Sequence, residues 1–550
     1  MNLLSSGNRA ALIQKSEQEP YDLLVIGGGI TGAGIALDAA TRGLRTVLLE
    51  KGDFASGTSS RSTKLVHGGL RYLKNFEFGL VREVGRERAV VHRLAPHLVI
   101  NEKMILPLVR GGTYGRLMTS IGLKVYDLLA GVKRGDRRRM LDKRKTLELE
   151  PLIAADQLVG GGIYAEYRTD DARLTLEVIK TAQRESADVL NYARVEDFLM
   201  TDDQVGGAIW RDQLSGETHQ VHARHVINAA GPWVDELRKA DRSLKGKYLR
   251  PTKGVHIVVT RERFPIHHTL YFDIPDGRMI FAIPRDRAVY IGTTDTDYLG
   301  NLDEVRTELA DASYLLDGVN HLFPAARLTL KDIESSWAGL RPLIAEEGKS
   351  PSEVSRKDEI FESPSGLLSI AGGKLTGYRK MAERIVDRVA DRIRANEGRR
   401  PAPCQTHRTR LTGGAFENQA EVERYTEATA RTLEELDPSL KARAGYLVHN
   451  YGQQTDAIVA GYSSQEGRPE QRLALSELDF TLSHEAVFTL LDFFERRTGR
   501  LYFDIHSIAG VRDAVTRRMQ EQLNWSDEQT RAQVEQLDQA IHRASHFGEG

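Results

Sequence analysis

The stretch YDLLVIGGGITGAGIALDAATRGLRTVLLE, residues 21–50, decides the fold of this chain. Its first six residues form a short apolar run that stops at glycines, which predicts a buried strand over 21–26. Small and apolar side chains then recur at helical spacing over 30–42, and Gly43 is placed to end that helix in a left-handed conformation. TVLLE, residues 46–50, predicts the next strand. The stretch is therefore a βαβ unit of a parallel, doubly wound sheet, with its ligand edge at the strand C-termini.

A G-x-G-x-x-G motif, formed by Gly27, Gly29 and Gly32, follows this first strand directly and opens the helix. Glycine permits the tight turn and the close approach of a pyrophosphate to the backbone, while the helix N-terminus favours the phosphate charge. Glu50 lies 18 residues beyond Gly32 and is placed to accept hydrogen bonds from an adenosine ribose. The motif therefore predicts a dinucleotide site, the alternative being a glycine-rich turn that binds nothing.

The segment after Lys51, GDFASGTSSRSTKLVHG at 52–68, is rich in Ser, Thr and Gly. Such a loop suits the wrapping of a long dinucleotide, whereas a nicotinamide enzyme usually continues straight to its next helix. This composition favours FAD over NAD. Because no second G-x-G-x-x-G occurs in the chain, we expect electrons to reach the flavin directly from a small substrate.

Later segments indicate further domains. An amphipathic helix is predicted over 170–187, and 225–233 is a strand that runs into a glycine turn. Short alternating runs between about 246 and 345 predict an antiparallel sheet, and 367–393 a strand, a glycine turn and a long helix. Beyond about residue 415 the chain is predicted to be helical, with a capping box of Ser526 and Gln529 at one helix start.

Bulk composition limits the classes of protein that remain. The 550 residues exceed the roughly 250–300 at which a single core stops growing, so two or three domains are expected. The formal net charge of −1 gives no general attraction to nucleic acid, and no nucleic-acid partner or metal site is predicted. Cys404 is the only cysteine, which excludes an internal disulfide and fits a reducing compartment. With no apolar run of signal or membrane-span length, we expect a cytoplasmic protein or one on the inner face of a membrane.

Seven stretches of the chain resemble one family. TSSRSTKLVHGGLRYL (58–73) resembles the sequence that follows the FAD fingerprint in membrane-associated bacterial and mitochondrial glycerol-3-phosphate dehydrogenases. The other six occur in the family's order: RTDDARL (168–174), NAAGPW (228–233), KGVHIVV (253–259), IGTTD (291–295), GLRPL (339–343) and GGKLTGYRK (372–380). The resemblance extends from residue 21 to about residue 395, and the helical C-terminal part fits the family's appended domain.

This resemblance implies an α/β fold with a Rossmann-like FAD domain of the D-amino-acid-oxidase type, a β-rich substrate domain and an all-α C-terminal domain. We place the FAD domain at 18–95, 155–245 and 345–398, the substrate domain at 96–154 and 246–344, and the helical domain at 410–550. The implied reaction is oxidation of sn-glycerol 3-phosphate to dihydroxyacetone phosphate, with hydride transfer to FAD N5 and electrons passed to a membrane quinone. FAD is expected to be noncovalent, because Cys404 lies outside the flavin loops.

Four residues match positions that line the substrate pocket in the family: Arg71, Tyr72, Arg341 and Lys374. A phosphomonoester carries nearly two negative charges, and the planar fork of arginine pairs its oxygens bidentately. Arg71 and Arg341 are therefore the phosphate candidates. Without the resemblance, either arginine would be interpreted as a surface or salt-bridge residue.

Hydride leaves C2 only as the C2 hydroxyl loses its proton, so a base must lie beside that oxygen. His256 is the first candidate, against the alternative of a satisfied core histidine on an alternating strand. His67 is the reserve, although its place beside the FAD loop suggests a flavin contact. Thr294 and Asp295 could simply close a turn.

Lys374 and Thr376 precede a predicted helix over 377–393. Its N-terminus would direct positive charge at the O2 and N1 edge of the flavin, where the reduced ring becomes anionic. The alternative is an ordinary turn with a solvated lysine. The predicted catalytic residues are thus His256, Arg341 and Lys374, and the substrate-binding residues are these three with Arg71 and Tyr72. The full set of predicted cofactor contacts is Gly27, Gly29, Ile30, Thr31, Gly32, Glu50, Lys51, Thr58, Ser59, Ser60, Lys64, His67, Gly68, Gly69, Val195, Ala230, Gly231, Lys374, Leu375 and Thr376.

A basic amphipathic segment suggests contact with a membrane. Within RLMTSIGLKVYDLLAGV, residues 116–132, apolar side chains recur at helical spacing, and KRGDRRRMLDKRK follows. Such a helix can lie in a membrane interface and be drawn to anionic lipid. The alternative is a helix packed on the substrate domain beside a solvated basic loop. The resemblance favours peripheral membrane contact, because a quinone acceptor resides in the bilayer, and a homodimer is kept as a candidate assembly.

Three other functions compete with this interpretation. A glycerol-3-phosphate oxidase would share the half-reaction but use molecular oxygen and release hydrogen peroxide; such relatives tend to carry a central insertion that is not evident here. An amine or amino-acid oxidase of the same fold would need a carboxylate clamp in place of the two arginine motifs. A flavoprotein acting as a binding module would hold flavin that no small phosphate reduces.

Overall fold

The computed structural model describes residues 4–66, 78–113, 115, 119, 120, 124, 137–346 and 357–548. The predicted substrate residues Arg71 and Tyr72 lie outside these ranges, as do His67, Gly68 and Gly69. The predicted amphipathic helix at 116–132 also lies almost wholly outside the described residues.

A largely parallel sheet forms the first layer of the structure. Its strands run in the order Glu359–Glu362, Leu368–Ala371, Thr218–Asn228, Tyr21–Ile26, Thr46–Leu49 and Asp188–Leu190. All neighbours are parallel except the first pair, and the antiparallel strands Ala193–Thr201 and Gln204–Asp212 extend the sheet from the start of Thr218–Asn228. The predicted βαβ unit is therefore confirmed at its centre, where Tyr21–Ile26 is buried along its whole length.

A second, mostly antiparallel sheet of ten strands lies beside the first. Its main order is Thr296–Asp297, Lys247–Thr260, Ala288–Gly292, Met279–Arg285, Thr269–Asp273, Ile100–Val109, Leu158–Arg168 and Leu65–Val66. Ile333–Glu346 pairs with Lys247–Thr260 over nearly its full length, and Arg139–Asp142 pairs with Leu158–Arg168. The alternating pattern between 246 and 345 thus forms the antiparallel sheet that it predicts.

Two of these strands lie within segments that the sequence assigns to the FAD domain. Leu158–Arg168 pairs antiparallel with Ile100–Val109 from Ile100 to Val109, and Leu65–Val66 pairs with its end at Tyr167 and Arg168. The second sheet therefore extends across the boundary placed at residue 155. Leu158–Arg168 is mostly buried, so its burial pattern does not distinguish it from the strands of the parallel sheet.

Helices cover both sheets and form the C-terminal region. Their bounds are Arg9–Gln18, Ile30–Thr41, Phe78–Leu94, Lys143–Leu149, Asp171–Arg184, Val234–Ala240, Leu309–Leu322, Tyr378–Glu397, Gln419–Leu436, Ala444–Tyr451, Thr455–Gly461, Pro469–His484, Arg500–Phe503, Ile505–Leu523 and Asp527–Ser545, with a π-helical turn at Asp492–Arg497. The predicted capping box is present: Ser526 Oγ accepts from the Gln529 N–H, and Gln529 Oε1 accepts from the Ser526 N–H.

The C-terminal helices pack directly on the second sheet. Trp337 and Tyr290 of the sheet share a buried apolar cluster with Leu478, Phe493 and Phe494 of the helices. On the opposite face of the sheet, the helix Leu309–Leu322 forms a separate core. Two hydroxyls of Ile333–Glu346 add polar contacts, because Ser335 donates to the Tyr502 carbonyl and Ser336 to the Ala544 carbonyl at 2.9 Å. The helical region is thus a structural support for the sheet that carries the candidate site.

Candidate active site

A glycine cradle lies where the first strand meets the first helix of the βαβ unit. Gly27 has φ +114°, and a Cβ there would lie 2.5 Å from the carbonyl oxygen of Ala229. A Cβ on Gly32 would lie 1.9 Å from the Gly27 carbonyl oxygen. Both positions require glycine, because only glycine allows helix Ile30–Thr41 to approach the strands this closely. The N-terminus of that helix opens on a cavity of about 490 Å³.

The polar wall of this first cavity comes from Glu50 and the Ser-rich loop. Glu50 accepts hydrogen bonds from the Gly28 N–H at 2.6 Å and from the Gly52 N–H at 2.8 Å. Burial raises the pKa of Glu50, and these amides oppose the shift. Ser59 Oγ accepts from the Ile30 N–H at 2.9 Å. The predicted contacts that line the cavity are Gly27, Gly29, Ile30, Thr31, Glu50, Lys51, Thr58, Ser59, Val195, Ala230, Gly231, Lys374 and Leu375.

Three described residues of the predicted cofactor set line neither cavity: Gly32, which packs in the cradle, and Ser60 and Lys64. Ser60 is 1% exposed and donates to the Gly57 carbonyl. Lys64 is 2% exposed, and its ammonium pairs with Asp171 and donates to the Ser60 carbonyl at 3.0 Å. Neither side chain lines the cavities described here. The Ser60 hydroxyl bonds within the loop, and the Lys64 ammonium joins the loop to helix Asp171–Arg184, so their geometry supports a role in holding the shape of the loop.

A second cavity of about 520 Å³ adjoins the first, and Thr58, Ser62, Pro342, Gly372, Gly373, Lys374 and Leu375 line both. The shared walls make one elongated site, with a glycine cradle and a helix N-terminus at one end and a polar chamber at the other. That shape fits a dinucleotide with an extended second half, as FAD has. Among the described residues, no cluster of side chains suits a metal ion.

Arg341 stands on the wall of the second cavity, at the point where strand Ile333–Glu346 crosses Thr252 of its neighbour. Its Nη1 lies 3.2 Å from Asp295 Oδ1, and its Nη2 donates to Thr293 Oγ1 at 3.0 Å. A Cβ on Gly254 would lie 2.6 Å from Nη2, so glycine there makes room for the guanidinium. The fork is thereby held across the sheet face.

His256 lines the same cavity, two positions along the neighbouring strand from Gly254. Its ring stacks on Trp337 with 4.9 Å between centroids, and its Nε2 lies 3.0 Å from Thr63 Oγ1. Nδ1 is buried without a hydrogen-bond partner among the described residues. Burial and the positive charges of Arg341 and Lys64 hold the pKa of His256 well below its ordinary value. The ring is therefore neutral at pH 7 and can accept a proton.

Lys374 and Thr376 lie where both cavities meet the start of a long helix. Lys374 precedes a 3₁₀ turn, Leu375–Gly377, that leads into Tyr378–Glu397. Lys374 lines both cavities, and Thr376, which is 1% exposed, lines the second. The predicted placement of a helix N-terminus beside the site is thus present in the structure, with the helix beginning at Tyr378.

Several residues of the second cavity were not singled out from the sequence. Arg61 and Thr63 line this cavity, although the sequence analysis selected only their neighbours in TSSRSTK as site residues. Thr293 contacts Arg341, whereas the sequence analysis considered only Thr294 and Asp295 in that stretch. A Ser/Thr-rich loop and a doubled threonine were the available signals. The Thr294 hydroxyl accepts from the Val255 N–H at 3.0 Å and donates to the Lys253 carbonyl at 3.3 Å, so it fixes this segment to strand Lys247–Thr260.

Comparison with known proteins gives two family matches. The model of the FAD dependent oxidoreductases matches residues 22–379, and that of the C-terminal domain of alpha-glycerophosphate oxidase matches residues 404–530. The aerobic glycerol-3-phosphate dehydrogenase of Bacillus subtilis is 47% identical over 545 residues, covering 98% of each chain. That of Staphylococcus aureus strain USA300 is 46% identical over 550 residues, 99% of this chain and 98% of the relative.

Solved structures agree with these matches. The glycerol-3-phosphate dehydrogenase from Bacillus halodurans, complexed with FAD, superposes with a TM-score of 0.84 at 43% identity and covers 99% of both chains. Glycine oxidase from Geobacillus kaustophilus, at 22% identity and TM-score 0.52, covers 72% of this chain and shares the fold alone. The predicted fold class and the FAD cofactor are confirmed. The roles of individual residues stay predictions.

Proposed function

This chain belongs to the FAD-dependent oxidoreductase family of aerobic glycerol-3-phosphate dehydrogenases, and from that premise we propose that it oxidises sn-glycerol 3-phosphate to dihydroxyacetone phosphate and passes the electrons to a membrane quinone. One observation carries the proposal: a chamber that adjoins the glycine cradle has an arginine fork, a lysine and a neutral histidine on its walls. Those groups match an anionic alcohol that must lose both a proton and a hydride.

The substrate phosphate is held by cations of the second cavity. Arg341 presents a fork fixed by Asp295 and Thr293, and Lys374 adds a second cation from the start of the helix segment. Charge-assisted hydrogen bonds of this kind are roughly twice as strong as neutral ones. Arg71, outside the described residues, is assigned to the same anion on the family motif, and Tyr72 beside it to the substrate pocket.

His256 takes the proton of the C2 hydroxyl. Its lowered pKa keeps the imidazole neutral near pH 7, and its stacking on Trp337 and contact with Thr63 fix the ring plane. When bound, FAD supplies the acceptor for the hydride that leaves C2. Lys374, Thr376 and the helix N-terminus behind them stabilise negative charge that develops at this end of the site.

A quinone is the proposed final acceptor, and molecular oxygen is the second candidate. The relatives are named aerobic dehydrogenases, which supports the quinone. The matched C-terminal domain is described from an alpha-glycerophosphate oxidase, which keeps oxygen as the alternative. None of the helices that the structure describes is long and apolar enough to cross a bilayer. We propose that the protein reaches the quinone from the membrane surface through the segment 116–132, and that it does so as a cytoplasmic, peripheral homodimer.

We also propose that the chain divides into an FAD domain, a substrate domain and a helical domain. The cavities support it, because the first is lined by the parallel sheet and the second by strands of the antiparallel sheet. The contacts of strand Leu158–Arg168 argue for assigning it to the substrate domain.

An anaerobic titration tests the substrate. Purified holoenzyme is mixed with glycerol 3-phosphate, glycerol or a D-amino acid, and the oxidised flavin absorbance is followed. Bleaching by the phosphate alone is expected, whereas bleaching by the amino acid alone would transfer the chain to the amino-acid oxidases. Reoxidation of the bleached enzyme then identifies the acceptor: we expect a soluble quinone to act much faster than oxygen, and rapid release of hydrogen peroxide would indicate the oxidase instead.

A further inference from the structure

Arg61 is a cation of the second cavity that the proposed mechanism does not yet use. Its backbone packs on strand Ile333–Glu346, where a Cβ on Gly339 would lie 2.4 Å from the Arg61 carbonyl oxygen and 2.9 Å from its Cβ. Gly339 and Arg341 are two positions apart and so face the same side of that strand. Arg61 lines the cavity with 27% of its side chain exposed. It is therefore placed on the same face as the arginine assigned to the substrate phosphate.

Residues of the C-terminal region contact the Arg61 side chain. Arg61 Nη2 lies 3.6 Å from Glu495 Oε1, and Tyr502 is a further polar neighbour of the Arg61 side chain. The Tyr502 hydroxyl donates to the same Glu495 oxygen at 2.8 Å, while the other carboxylate oxygen accepts from Arg496 Nη1 at 2.8 Å. Glu495 is only 6% exposed on its side chain. The carboxylate is thus bound closely by two partners and contacts Arg61 more loosely.

Loose pairing leaves Arg61 able to serve a ligand. A guanidinium carries five N–H donors, and the described contacts with Glu495 and Tyr502 use only some of them. Because Glu495 shares its single negative charge with Arg496, it offsets only part of the positive charge of Arg61. Arg341 is likewise partly offset by Asp295. A phosphate with nearly two negative charges is better matched when a further cation converges on it.

The C-terminal turn Asp492–Arg497, which contains Glu495, also contacts the cofactor loop at a second point. Asp53, which is 2% exposed, accepts from Arg497 Nη1 at 2.6 Å and Nη2 at 2.8 Å, and from Arg496 Nε. Asp53 and Arg61 lie on either side of Thr58 and Ser59, which line the first cavity. The turn Asp492–Arg497 therefore contacts both ends of the loop from Asp53 to Arg61, which lies between the two cavities.

We propose that Arg61 is a further substrate-binding residue, which contacts the phosphate of the substrate, and that Glu495 is its positioning residue, so that the C-terminal region completes the substrate site. The inference rests on the proposed function, since it presumes a phosphorylated substrate in the second cavity. It assigns the C-terminal region a part in recognition of substrate in addition to support of the sheet.

The test compares phosphorylated and unphosphorylated substrates in variants of the holoenzyme. Bleaching of the wild-type flavin by glycerol 3-phosphate is scored first, because its absence would defeat the proposed function whatever the variants do. For Arg61→Gln, we expect the KM for glycerol 3-phosphate to rise about 10- to 100-fold with little change in kcat, the effect of a lost charged hydrogen bond. The kcat/KM for glycerol should stay unchanged.

A double-mutant cycle tests the role of Glu495. Glu495→Gln keeps the shape and the acceptor for Tyr502 but removes the charge, and it should change the KM for glycerol 3-phosphate when Arg61 is present and have no effect in the Arg61→Gln background. Equal effects in both backgrounds would overturn the positioning role. Arg518→Gln, in an ion pair with Asp479 at 2.6 Å within the C-terminal helices, is the matched control and should leave all parameters unchanged.

Two results would overturn the substrate contact itself. These are a wild-type KM in Arg61→Gln, or an equal loss of kcat/KM for glycerol and glycerol 3-phosphate. If Arg61→Gln fails to retain flavin, Arg61→Lys replaces it, since lysine keeps the charge without the fork. Competitive inhibition by inorganic phosphate should then weaken in Arg61→Lys, and an unchanged inhibition constant would refute the contact.

Discussion

Replacing Asp53 with asparagine should loosen the C-terminal region from the cofactor loop. The Asp53 carboxylate is buried and accepts from both Arg496 and Arg497, and its Oδ1 also accepts from Asn191 at 3.2 Å. Asparagine has nearly the same shape, but it offers one acceptor oxygen and turns an amide NH₂ towards a guanidinium. The buried Arg497 would then lose its closest anion, whereas Arg496 would keep Glu495 and Asp492 as partners.

The expected cost follows from the burial of the pair. Removing one partner of a buried ion pair typically destabilises by about 3–5 kcal/mol, because the remaining charge is left without compensation. Asp479→Asn is the control: its pair with Arg518 is partly exposed, with side chains 35% and 25% accessible, and an exposed pair contributes about 0–1 kcal/mol. Only the Asp53 variant should show a large effect.

Urea-dependent release of FAD, followed by flavin fluorescence, measures the difference. Asp53→Asn should release flavin at a clearly lower urea concentration than the wild type, and Asp479→Asn at nearly the same concentration. Burial favours the neutral acid, but Arg497 and Arg496 outweigh it and hold the pKa of Asp53 below its ordinary value. Because the pKa of Asp53 is lowered in the folded state, the ionised carboxylate stabilises the fold at pH values above its ordinary pKa. This stabilisation is lost as the pH falls through the pKa of the folded state. Identical release midpoints for both variants at pH 7 would refute the reasoning.

Three further predictions concern the site. Gly32→Ala should yield protein without FAD, seen as loss of flavin absorbance, because its Cβ would lie 1.9 Å from the Gly27 carbonyl oxygen; Gly510→Ala, with no atom within 4 Å of the added Cβ, should keep its flavin. His256→Asn should slow anaerobic flavin reduction by glycerol 3-phosphate about 10²- to 10⁴-fold in stopped-flow measurements, and an unchanged rate would remove it as the base. In the wild type, the acid limb of the kcat/KM profile should lie below pH 6.5, since activity is lost only when His256 becomes protonated. The Arg341→Gln variant should have a higher KM. Its acid limb should also move to higher pH, because Arg341 helps to lower the pKa of His256.

The parts of the site that are local in sequence could be predicted from it. The cradle of Gly27 and Gly32 depends on residues within one βαβ unit, and glycine spacing reports the close approach of helix and strand. Arg341 and Lys374 were found through short motifs of the family. The C-terminal region was predicted to be helical, and the capping box at Ser526 formed as the pattern predicts.

The long-range contacts of the site could not be predicted in this way. Asp53 and Arg497 are 444 residues apart in the chain, and no periodicity relates a carboxylate in a loop to an arginine in a distant turn. Lys64 was interpreted as a cofactor contact, but its buried pairing with Asp171 over a separation of 107 residues became visible only in three dimensions. The segment 155–245 was placed in the FAD domain without a strand being recognised over Leu158–Arg168, and the pairing of that strand with Ile100–Val109 became visible only in the structure.

The strand Ile333–Glu346 fixes the spacing between two distant contacts. Ser335 and Ser336 near its start are fixed to the C-terminal helices, and Arg341 near its end faces the second cavity. Since side chains alternate between faces, deletion of one residue between Ser336 and Arg341 would turn the arginine to the opposite side while the hydroxyls stayed in place. We therefore expect natural or engineered insertions and deletions to be tolerated in the loops at the ends of this strand. We expect none to be tolerated between Ser336 and Arg341.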